Sequence, residues 1–62
     1  MDYEKTIMDL LQIAVEELQR FPTNYDSKMQ WNYYVIFAKC LTHKDYIIDK
    51  TQEVWKVIEI QK

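Results

Sequence analysis

Apolar positions recur at helical spacing over residues 2–21, where Tyr3, Ile7, Leu10, Leu11, Ala14, Leu18 and Phe21 fall on one face. Met8 and Val15 widen that stripe, and Ile13 falls off it toward solvent. Asp2 and Glu4 stand in the first turn and Arg20 in the last, the order the helix dipole favours. Glu16 and Arg20 add an i,i+4 pair. Pro22 then stops the helix, because the residue before a proline is pushed out of the helical region.

The linker 22–26, PTNYD, offers two competing starts for a second helix. Thr23 with Asp26 and Ser27 with Gln30 both fit a capping box. The segment 29–41, MQWNYYVIFAKCL, is apolar nearly all round, with ten of its thirteen residues apolar or aromatic. Its polar strip is narrow and consists of Lys28, Asn32 and Lys39. A helix of this kind predicts enclosure by neighbours that each carry one greasy face. Tyr-Tyr-Val-Ile-Phe also favours strand by propensity, but a lone strand would have no partner within the chain, so helix is preferred.

Thr42 fits an N-cap with Asp45 at the third helical position, and a stripe of Ile47, Ile48, Thr51, Val54, Trp55 and Ile58 predicts a third helix. Tyr46 and Val57 form a small second patch on it. The expectation is an all-α single domain with helices at 2–21, 26–41 and 43–60, the central one sandwiched and the whole dimerising. If the second and third helices merge, the chain becomes a helical hairpin that must dimerise into a four-helix bundle.

Composition sharpens this picture. A chain of 62 residues is a single domain, and it buries only about 60% of the surface its unfolded form exposes. Yet 48% of the residues are hydrophobic and nine are aromatic, more than a small monomer readily hides. Glycine is absent and proline occurs once, which disfavours hairpin-rich β folds built on positive-φ turns. The single Cys40 excludes an internal disulfide and agrees with a reducing compartment. The acidic start of the chain lacks the n-region of a secretory signal, and no apolar run reaches the roughly 20 residues of a bilayer span. The expectation is a cytoplasmic protein that does not enter membranes.

Net charge is −2, which argues against nucleic acid as a partner. The first helix holds five acids against two bases, so Asp2, Asp9, Glu16 and Glu17 form an acidic outer face. Cys40 and His43 could pair as thiolate and imidazole, but no pocket or oxyanion hole accompanies them. Cys40, His43 and Asp45 fall short of four zinc ligands at recognisable spacing. Without a glycine-rich loop, phosphate binding lacks its usual device. These patterns predict no catalysis, no cofactor and no metal.

Trp and Tyr dominate interface energetics, so the aromatic surplus points to a non-enzymatic interaction module: a small inhibitor, adaptor or regulator, or a structural subunit of an assembly. The expected contact residues are Trp31, Tyr34 and Phe37, with Tyr46 and Val57. The expected partners are a larger protein, drawn by the acidic flank if it is basic, and a second copy of the chain. The alternative is a dimeric helix–turn–helix DNA-binding regulator that turns at Leu41-Thr42-His43 and pools Lys44, Lys50 and Lys56.

Overall fold

The stripe at the start of the chain builds the expected helix, α1 (Tyr3–Arg20), in a computed structural model that describes residues 3–60. Asp2 lies outside the described residues. The Phe21 amide closes on Glu17 O at 2.9 Å, and the Asn24 amide closes on Phe21 O at 3.1 Å. Pro22 is therefore the second residue of a four-residue turn, where its fixed φ fits. Neither predicted capping box opens α2 (Tyr25–Thr42): Asn24 is the N-cap, with its side-chain oxygen 3.1 Å from the Ser27 amide.

The chain does not form a third helix, and the all-α expectation, bundle and merged rod included, is overturned. Residues 43–60 instead make a joint and an antiparallel hairpin, β1 (Asp45–Asp49) paired with β2 (Lys56–Ile60). α2 ends because His43 adopts the left-handed conformation (φ 60°, ψ 29°) and returns its amide to Lys39 O at 2.8 Å. Thr42, expected to start a helix, is the last residue of one. Its hydroxyl donates to Ala38 O at 2.9 Å, so the Tyr46 hydroxyl, 2.9 Å away, donates to it in turn. The lack of glycine proves no obstacle. The strands are joined by six residues, 50–55, opened by Asp49 Oδ1 accepting from the Thr51 amide (2.9 Å) and hydroxyl (2.6 Å). These hydrogen bonds, the hydroxyl's foremost, hold the Asp49 carboxyl below its ordinary pKa.

Register places Ile48 opposite Val57 and Tyr46 opposite Glu59 on the inner face of the hairpin. Ile47 opposite Ile58 and Asp45 opposite Ile60 occupy the outer face. The core is centred on α1, whose Leu11 and Val15 are 1% and 0% exposed, with Ile7 and Ala14 beside them. From the hairpin, Val57 of β2 and Tyr46 of β1 are buried in the same core cluster, with Ile48 and Trp55 packed against it. α2 adds Ala38 and the half-buried Trp31 and Val35. The central segment is thus not sandwiched: with no third helix, its far side has none of the described elements packed on it.

His43 is a non-glycine residue in a conformation where Cβ crowds the carbonyl, so His43→Gly is expected to raise stability by about 0.5–1 kcal/mol. Thermal unfolding measures this as a rise of a few degrees, and an unchanged or lower midpoint would show that the imidazole contributes more than the strain removes.

Candidate functional site: an uncharged helix face beside an apolar groove

One side of α2 is used by the core and the other is open. Ser27 and Ala38 are buried, with Trp31 and Val35 along the same line. On the far side Tyr33, Ile36 and Phe37 are 61%, 60% and 67% exposed, in mid-helix where exposed apolar bulk is unusual. Lys28 and Lys39, three turns apart, run along the flank toward the hairpin, and Lys39 pairs with Asp45 there at 3.0 Å. From Met29 to Leu41 the open face therefore carries no charge.

A groove of about 420 Å³ runs between the helices. Ile7, Leu10 and Leu11 line it from α1, and Tyr33, Tyr34 and Phe37 from α2. Its lining is almost wholly apolar, and the groove is open to solvent along Leu10, Tyr33 and Phe37. Among its lining residues the polar side-chain groups are the hydroxyls of Tyr33 and Tyr34, so the groove chiefly offers apolar contact. Cys40 is exposed, and no three His, Cys, Asp or Glu side chains gather to hold a metal among the described residues.

The residues singled out from sequence divide. Tyr34 and Phe37 reach the open face and the groove, whereas Trp31 packs against the core. Tyr46 and Val57 are not a surface patch: both are buried, 6% and 8% exposed. Asp9 and Glu16 are exposed on α1, and Glu17 is half-buried. Tyr33, Ile36 and Leu10 belong to the open surface and were not singled out. The available signal was the all-round apolar character of 29–41, which shows excess without showing which side is covered.

The side of α1 away from the groove is stitched to the hairpin by two glutamines. Gln12 donates to Trp55 O (2.8 Å) and accepts from the Val57 amide (3.1 Å). Gln19 donates to Glu53 O (2.7 Å) and accepts from the Trp55 amide (2.8 Å). Each amide offers a donor and an acceptor side by side, as a neighbouring strand would, and so ties down the main chain from Glu53 to Val57, the approach to β2 and its start. At the other end Lys44 bridges Glu59 (3.0 Å) and Glu4 (3.3 Å), and these bonds hold its pKa above the ordinary 10.5.

The helix–turn–helix arrangement is absent, because a hairpin follows the corner at His43. Lys44 is engaged as described, and Lys50 lies over the Trp55 ring, 4.7 Å from its centre. No helix is long and apolar enough to cross a membrane. No family model, no curated protein and no solved structure matches this chain.

Proposed function

We propose that this chain is a non-catalytic protein–protein interaction module, an inhibitor, adaptor or regulator that works by laying the open face of α2 and the adjoining groove against another protein surface. One observation carries this: Tyr33, Ile36 and Phe37 stand largely exposed on a helix face that is without a charged residue from Met29 to Leu41, the nearest on that face being Asp26 in the first turn. Tyrosine and phenylalanine supply large, stiff contact area, and an uncharged patch is buried without desolvating ions. Asp9 and Glu16, exposed on α1, do not line the groove, so the contact surface itself stays apolar.

A photo-crosslinking residue at position 37, with one at position 13 as reference, tests the proposal in lysate of the native host. Adducts of defined mass should form at 37 and be scarce at 13. Within the captured complex, Tyr33→Ala should weaken binding by more than about 1 kcal/mol while the circular dichroism of the free chain is unchanged. Equal labelling at both positions, or none at either, removes the module reading.

A further inference from the structure

The buried apolar set is short for a chain of 62 residues, and no metal cluster is seen among the described residues to reinforce it. The uncovered set is bulkier than what is enclosed. Leu10, Tyr33, Tyr34, Ile36, Phe37 and Leu41 together leave about 600 Å² open, taking roughly 200 Å² for a fully exposed large side chain. Two such faces sum to about 1,200 Å², the lower bound for specific protein–protein interfaces.

The outer hairpin face offers much less, with Ile47, Ile58 and Ile60 half-exposed, and Gln12 occupies the Val57 amide at the start of β2. The α2 surface also has both parts of a self-matching contact. Phe37, 67% exposed, stands as a ridge beside a groove of about 420 Å³. In a two-fold pair each ridge meets the other copy's groove, so one patch serves both sides. Being uncharged, the patch brings no like charges together across such an axis. A chain with so thin a core gains stability from any occupant of this face, and another copy is present wherever the chain is made.

We propose that the occupant of this surface is a second copy of the chain, related by a two-fold axis, with Phe37 of each copy seated in the α1–α2 groove of the other. This rests on the interaction-module reading and names its partner. The dimer covers apolar surface that one copy leaves open, so association stabilises the folded chain by mass action and the thermal midpoint rises with protein concentration.

Sedimentation equilibrium of the purified chain from about 5 to 100 μM, a range that brackets micromolar dimers, tests this. The expected mass is twice the 7.6 kDa of one chain. Phe37→Asp should raise the dissociation constant at least 30-fold, as loss of a central anchor does, and Ile47→Thr on the hairpin should leave it unchanged. If Phe37→Asp fails to fold, the concentration dependence of the wild-type midpoint decides in its place: a rise supports the dimer and a constant value overturns it. A wild-type chain that is folded and stays at 7.6 kDa throughout overturns the proposal, as does a dimer dissolved by Ile47→Thr but not by Phe37→Asp. A monomer that still forms position-37 adducts with a different protein refutes the second copy and keeps the module. A monomer without such adducts refutes both.

Discussion

Leu11→Ala is expected to lower the unfolding free energy by about 3 kcal/mol, the middle of the range for emptying a buried leucine site. Leu11 is 1% exposed and stands at the point where α1 meets both Ala38 of α2 and the hairpin, so no single neighbour can move in to fill the space. A domain of this length holds only roughly 3–9 kcal/mol in total, so the variant sits close to unfolding at room temperature. Thermal denaturation followed by circular dichroism should show a fall of roughly 10–20 °C. Ile13→Ala removes similar bulk from the same helix at a position 62% exposed and should change stability by less than about 0.5 kcal/mol. Comparable losses for the two would mean that the core is not centred where α1 faces the hairpin.

Gln12→Ala should release the hairpin without unfolding the helices. It leaves the Trp55 carbonyl and the Val57 amide, both bonded to this one side chain, without their partner. Orphaning main-chain groups in a half-buried setting costs about 1–3 kcal/mol, seen as roughly 10- to 100-fold faster hydrogen exchange at the Val57 amide. Gln12→Glu separates the two bonds: it keeps an acceptor for Val57 and removes the donor to Trp55, so the Val57 amide should stay better protected than in the alanine variant. Equal exchange in the wild type and both variants would show that strand pairing with β1 holds β2 unaided.

These side-chain bonds also explain why the end of the chain was misread. Ile47, Ile48, Val54, Trp55 and Ile58 satisfy a helical stripe, yet Tyr46 and Ile48, and Trp55 and Val57, satisfy an alternating one equally well. Two features break the tie. β2 pairs with β1, and the chain from Glu53 to Val57 is bonded by Gln12 and Gln19, which lie 34 to 45 residues away. Window-based reading of periodicity sees neither. His43 hides the boundary further, because a histidine in the left-handed region gives no glycine-like signal where α2 stops. The surface was legible only as a surplus. An apolar excess in 29–41 was plain, but Trp31 turned inward and Tyr33 outward for reasons set by α1, not by their own neighbours in sequence.

Local physics was enough to specify α1, its stop before Pro22 and the helical state of 25–42. Of the predicted α1 stripe, Ile7, Leu11, Ala14 and the widening Val15 are buried, while Tyr3, Leu10 and Phe21 are exposed. The fate of the last third and the covered side of α2 were settled by long-range packing. Once the hairpin takes one flank of α1, only one line of α2 residues can meet the remaining apolar stripe, and Tyr33, Ile36 and Phe37 are left facing out. Apolar bulk can be counted along a chain; which of it stays uncovered depends on where the neighbouring elements dock.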